Sequence, residues 1–190
     1  MVRVAGLTAG IRRRPDGWHT LTPVTVVVCP GSFDPITLGH LDVVRRARAM
    51  FDEVVVGVAR NSSKSALLTL EQRVELARAA VAGLPGVRVE PVPGLLSEFC
   101  RDVGAVAVVK GLRGGADVDH EVPMALMNRH LTGVETVFVL GDPALAHIAS
   151  SLVKDVARHG GAVGDLVPAG VEHAVRDALG ALPAQGGMTR

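Results

Sequence analysis

The run Val24-Thr25-Val26-Val27-Val28-Cys29 is apolar and β-branched, and it stops abruptly at Pro30-Gly31-Ser32. It reads as a buried strand. A helical pattern follows from Leu41 to about Phe51. The same alternation then recurs along the chain. Strands are expected at Glu53–Ala59, Val87–Val92, Ala105–Val109 and Thr136–Leu140. The Ala105–Val109 run is apolar throughout, as in the centre of a parallel sheet. Helices are expected from Thr69 to about Ala82, where Thr69 and Gln72 form a capping-box pattern, and over Leu95–Val103. Further helices are expected over Ala116–Leu131 despite Pro123, Ser150–Arg158 and Val171–Leu179. Repeated βα units of this length predict an α/β fold: a doubly wound, five-stranded parallel sheet with right-handed crossovers and C-terminal helices.

In such sheets, ligands bind at the carboxyl ends of the strands. Four of those ends carry residues suited to phosphate. Ser32 and His40 follow the first strand, and Arg60-Asn61-Ser62-Ser63-Lys64 the second. Lys110-Gly111-Leu112-Arg113 follow the fourth, and Ala149-Ser150-Ser151 open a helix after the fifth. Helix N-termini and cations both favour anions. Each part alone has a plain reading. Asp34-Pro35 is a common turn dipeptide, Lys64 an ordinary surface lysine, and a His at a helix start a capping residue.

The 190 residues suffice for one domain with a real core. A net charge of +1 makes no electrostatic case for nucleic acid or membrane partners. Cys29 and Cys100 form no CxxC pair, which argues against a disulfide scaffold or zinc site, and both thiols are expected to be buried. The chain is read as cytoplasmic. Residues 1–23, with Arg12-Arg13-Arg14 and the only Trp, Trp18, are expected to be a disordered extension or to precede the true start. Residues 24–182 form one domain in this reading, and the Gly-rich end, 183–190, a flexible tail.

The string Pro30-Gly31-Ser32-Phe33-Asp34-Pro35-Ile36-Thr37-Leu38-Gly39-His40 resembles the T/HxGH motif of a nucleotidyltransferase superfamily. Together with KGLRGGAD, MNRHL and SSLVKDVARHGG, it resembles more closely the phosphopantetheine adenylyltransferases. That resemblance spans about Val24 to Leu179. It implies transfer of the adenylyl group of ATP to 4′-phosphopantetheine by direct in-line attack, giving dephospho-coenzyme A and pyrophosphate.

The same resemblance implies roles for individual residues. His40, Lys64 and Arg113 would be catalytic, with His40 on the α-phosphate and Arg113 on the β- and γ-phosphates. Ser32, Phe33, Gly111, Leu112, Glu121, Leu145, Ile148, Ser150 and Ser151 would complete the ATP site. Ser32, Lys64, Lys110 and Leu96 would meet phosphopantetheine, with Met124 and Met127 lining its channel or packing in the core. Mg²⁺ would arrive with ATP, held by phosphates and water and not by a protein cage. A homohexamer inhibited by coenzyme A is also implied.

Some positions depart from the family pattern. Asp117-Val118-Asp119-His120-Glu121 replaces a segment with two aromatics, Leu145 stands where an aromatic is common, and Ala149 where a serine is. Weaker ATP binding with retained activity is the expectation. Two other readings stay open at this point: another small-molecule nucleotidyltransferase, and a decayed module that binds nucleotide or coenzyme A without turnover.

Overall fold

The computed structural model describes residues 9–13, 19–60 and 65–180. Two short strands come first, β1 (Ala9–Arg13) and β2 (His19–Pro23), paired antiparallel in a sheet of their own. This ribbon lies within residues 1–23, the segment expected to be a disordered extension or to precede the true start.

The main sheet has five parallel strands: β3 (Val26–Gly31), β4 (Glu53–Ala59), β5 (Val87–Val92), β6 (Ala105–Leu112) and β7 (Glu135–Leu140). Their order is β5-β4-β3-β6-β7. From β3 the chain winds outward through β4 to β5, then returns to the other side of β3 for β6 and β7. The direction of winding therefore reverses between β3 and β6, which opens a crevice at their carboxyl ends.

The crossovers between successive strands are α1 (Leu38–Met50), α2 (Leu70–Val81), α3 (Leu96–Asp102) and α4 (Gly115–Thr132). Helices α5 (Ser150–Arg158) and α6 (Val171–Gly180) close the chain. Alternate residues of the central strands feed opposite faces. Val27, Val54, Val56 and Val58 pack with Val44 and Ala47 of α1, Ala77 of α2, Val153 of α5 and Val171 of α6. Val26, Val28 and Val55 pack with Phe99 and Cys100 of α3 on the other face. Val27, Val28, Val54, Val55, Val56 and Val58 are fully buried. Each such valine contributes about 1.5–3 kcal/mol on burial.

The sequence reading places the elements well and misplaces two ends that matter. Helix α1 begins at Leu38, not Leu41, because Thr37 caps it. His40 is thus inside the first turn. Strand β6 continues through Lys110, Gly111 and Leu112, because these three pair with Phe138, Val139 and Leu140 of β7. Only Arg113 follows the strand. The charge at Lys110 suggested a strand end, but a ladder to a neighbour outweighs a single polar side chain.

Gly111 has a packing reason. A Cβ there would stand 2.4 Å from Cγ2 of Val43 on α1. Valine has little rotamer freedom to yield. Gly111→Ala is therefore expected to destabilise the fold by about 1–3 kcal/mol, read as a lower midpoint in denaturant unfolding. Most of the loss should return when Val43→Ala is added.

Candidate active site

A cavity of about 410 Å³ opens at the carboxyl ends of β3 and β6. Its walls are the Gly31–His40 turn, the end of β6 with Arg113, the first turns of α4 and the segment Gly141–Ser151. Ser65 and Ala66, after β4, complete it.

His40 sits at the third position of α1, where a capping box usually carries Glu or Gln. Here the box is built by Thr37 and His40. The Thr37 side chain accepts from the His40 backbone N–H at 3.4 Å, and His40 Nδ1 accepts from the Thr37 backbone N–H at 3.0 Å. An Nδ1 that accepts from a backbone amide carries no proton, so the neutral ring holds its proton on Nε2. Capping and facing the cavity are thus one arrangement, not alternatives. Burial, then the charges of Arg113 and Lys110, push the His40 pKa down to about 4. At neutral pH the ring is an uncharged donor that shares the cavity with two cations.

Phe33 supports the ring from one side. Its φ of 46° is the one positive value among the described non-glycine residues. That conformation costs on the order of 1–3 kcal/mol and turns the side chain inward. The Phe33 ring meets His40 edge-on, with centroids 5.0 Å apart. It also lies 3.0 Å from where a Cβ on Gly31 would stand, so only glycine fits there without displacing it.

The cations are held by one face of α4. Lys110 Nζ lies 3.0 Å from Glu121. Arg113 donates to both carboxylate oxygens of Asp117, from Nη2 at 3.0 Å and from Nε at 3.1 Å. These hydrogen bonds hold the Asp117 carboxyl below its ordinary range. Asp117 and Glu121 are one helical turn apart, so a single face orients both cations at the cavity.

On the opposite wall, α5 starts differently from the expectation. A serine at the start of a helix commonly caps it. Instead the N-cap is Ala149, with no side-chain bond to the first turn, and Ser150 Oγ donates to the Pro35 carbonyl at 2.8 Å. The first amides of α5 are therefore not capped by a side chain, which suits a helix N-terminus that receives an anion. Leu145, Ile148, Ser150 and Ser151 all line the cavity. Asp42 of α1 pins the segment leading to α5 by accepting from the Asp142 backbone N–H at 2.9 Å.

Three buried or half-buried charges went unnoticed in the sequence. The Asp34 carboxylate accepts from the backbone N–H of Leu67 and Leu68 and from Lys154 Nζ. These bonds outweigh burial and keep its pKa below the usual carboxylate range. Arg73 of α2 is buried and donates to the carbonyls of Ser32 at 2.6 Å, Ala59 at 2.9 Å and Thr69 at 3.3 Å. Read alone, Asp34-Pro35 is a turn dipeptide. Apart from Thr69, the partners of Asp34 and Arg73 lie between 14 and 120 positions away, beyond what local patterns carry.

Of the residues singled out from sequence, Ser32, Phe33, His40, Lys110, Gly111, Leu112, Arg113, Glu121, Leu145, Ile148, Ser150 and Ser151 converge on this cavity. Leu96 does not line it. It packs against the cluster beneath α3, because the first turn of α3 lies over that face of the sheet. Met124 and Met127 line neither cavity nor core; each is about half exposed on α4, at 52%. Lys64 lies outside the described residues. Cys29 and Cys100 are buried free thiols, pushed by burial to about 12 and about 11, and so unreactive.

Comparison with known proteins adds three kinds of likeness. A cytidylyltransferase-like family model matches residues 28–156. A phosphopantetheine adenylyltransferase of a Nocardioides species is 54% identical over 158 residues, covering 83% of this chain and 99% of the relative. Those of Micrococcus luteus and Bifidobacterium longum are 54% and 49% identical, covering 76% and 82% of this chain and 92% and 95% of theirs. A solved Vibrio parahaemolyticus structure, described as a nicotinate-nucleotide adenylyltransferase, superposes with a TM-score of 0.58 over 80% of this chain and 98% of its own. At 16% identity it shows the fold alone.

The capping geometry makes a spectroscopic expectation. His40 should give nitrogen shifts of a neutral Nε2–H ring and stay untitrated from pH 8 to 5. Its folded pKa, about 4, lies below the ordinary 6.5. The stability gained from the neutral ring is then complete above about pH 6.5 and is lost as pH falls through about 4. A His40 resonance titrating near 6.5 in the folded protein would refute this environment.

Proposed function

This chain belongs to the phosphopantetheine adenylyltransferases, nucleotidyltransferases of coenzyme A synthesis, and on that premise we propose how its strand-end cavity transfers the adenylyl group of ATP to 4′-phosphopantetheine. A phosphate oxygen of the acceptor attacks the α-phosphorus, the bond to the β-phosphate oxygen breaks, and pyrophosphate leaves with dephospho-coenzyme A as the other product. The acceptor oxygen is already a nucleophile. Catalysis then consists of aligning two anions and stabilising charge in the transition state.

The observation that carries the reading is the ring of His40, tied at Nδ1 and lining one cavity with Arg113 and Lys110, whose charges lower its pKa. Its Nε2–H donates to the α-phosphate as charge builds on the non-bridging oxygens. A neutral ring suits that role across the physiological range. Arg113 holds the β- and γ-phosphates, where its fork fits two oxygens. The first turn of α5, with Ser150 and Ser151, receives the same phosphates. Leu112, Leu145 and Ile148 border the nucleoside, and Glu121 lies near its ribose.

Lys110, Lys64 and Ser32 meet the acceptor phosphate. The Phe33 backbone amide and Gly111 complete the approach to ATP. Mg²⁺ comes as part of Mg-ATP and supplies charge neutralisation on the phosphates. Among the described residues no group of three His, Cys, Asp or Glu side chains gathers to hold an ion.

A homohexamer is proposed as the working assembly. Support comes from apolar side chains left exposed on the α4, β7 and α5 surface: Met124, Leu126 and Met127 at 52–54%, Leu140 at 74% and Leu152 at 55%. Burying these side chains against neighbouring copies would remove their apolar surface from water. Sedimentation should give about six times the 19.8 kDa chain mass. Leu140→Glu should shift the protein to smaller species. Coenzyme A as inhibitor and a cytoplasmic location follow from the family reading; no described helix is long and apolar enough to cross a membrane.

The reaction is tested by pyrophosphate release with Mg-ATP and 4′-phosphopantetheine, with nicotinamide mononucleotide as a rival acceptor. Release with phosphopantetheine only is expected. Release with the rival only, or with neither, would overturn the assignment. His40→Ala should lower turnover by on the order of a hundredfold or more, with ATP binding largely kept. Near-normal turnover in that variant would remove His40 from the mechanism.

A further inference from the structure

We propose that Asp34 and Lys154 form a positioning pair that holds two walls of the reaction cavity, the Ser65–Leu68 segment and the start of α5, in register about the Gly31–His40 turn. The inference rests on the catalytic reading above and adds residues to it. Asp34 lies in the middle of that turn and its side chain is 6% exposed. One of its carboxylate oxygens accepts from Leu68 N–H at 2.9 Å; the other accepts from Leu67 N–H at 3.0 Å and from Lys154 Nζ at 2.5 Å. A single buried group thus ties the backbone after β4 to the second turn of α5.

The neighbouring residue repeats the tie. The Pro35 carbonyl accepts from Ser150, four positions before Lys154 and on the same face of α5. Ser65, Ala66, Ser150 and Lys154 all line the cavity, so the tied elements are themselves the walls. Arg73 adds a third anchor by holding the Ser32 carbonyl and the end of β4 at Ala59.

A buried ion pair has little net value for stability, since desolvation offsets the attraction. Its specific effect is geometric. Asp34 carries donors from both walls on one buried carboxylate, so moving one wall disturbs the other. In-line transfer is sensitive to such displacement, because a shift of about 1 Å in a reacting group costs on the order of a hundredfold in rate. Neither residue need touch the reacting atoms. Both are positioning residues.

The test compares the parent with Lys154→Met, Lys154→Arg and the double variant Asp34→Asn/Lys154→Met, which removes both charges and guards against failure to fold. The first readout is amide exchange at Leu67 and Leu68, neither of which bonds to Lys154. In Lys154→Met, or in the double variant, these amides should exchange on the order of tenfold faster, while those of β3 and β4 keep their protection. Lys154→Arg should restore most of it.

The second readout is steady-state kinetics. Turnover should fall by about tenfold or more in the folded variants, with the ATP dissociation constant changed by less than about threefold. Unchanged exchange at Leu67 and Leu68 with turnover within twofold of the parent would overturn the proposal. If the parent itself releases no pyrophosphate with phosphopantetheine, the catalytic reading fails, and amide exchange alone then decides whether the pair couples the two walls.

Discussion

Strand β3 must pair in parallel on both sides, with β4 and with β6, and the architecture depends on that requirement. A central parallel strand has no free edge and no solvated face, so its residues must be apolar on both sides. Val27 and Val28 point to opposite faces and both are fully buried. Because β4 and β6 flank β3 although they are far apart in sequence, the winding reverses there. The crevice at the reversal is a consequence of strand order, and every residue of the cavity is placed by it.

Charge is arranged around that crevice in two layers. The inner layer is His40, Lys110 and Arg113, each held from behind by Thr37, Glu121 and Asp117 respectively. The outer layer is Asp34, Lys154 and Arg73, whose hydrogen bonds go mainly to backbone carbonyls and amides. The inner groups present charge to a ligand. The outer groups fix the segments that carry them. Preorganisation of this kind matters most where the chemistry asks only for alignment of anions and compensation of charge.

Much of this was legible from local pattern. The strand and helix succession follows hydrophobic periodicity, and the Thr69–Gln72 capping box was visible in four residues. The strand-end residues Ser32, His40, Arg113 and Ser151 could be gathered because the fold class says where strand ends meet. The Thr37–His40 box was missed because a histidine stands where the pattern has Glu or Gln. Leu96 packs beneath α3, since a residue after a strand can turn toward the site or toward the sheet and tertiary packing decides which. Lys110 was taken to follow its strand because pairing with Phe138 leaves no trace near it in sequence.

The sequence by itself determined the α/β class, the place of the crevice and the phosphate-handling residue types, since these depend on periodicity, turn chemistry and spacing within about a dozen residues. Tertiary structure alone decided the partners of the buried charges, the proton position and depressed pKa of His40, and the exclusion of Leu96 from the cavity. Those properties arise from burial and from contacts between residues tens of positions apart. Desolvation and hydrogen-bond geometry exist only once the chain has brought such residues together.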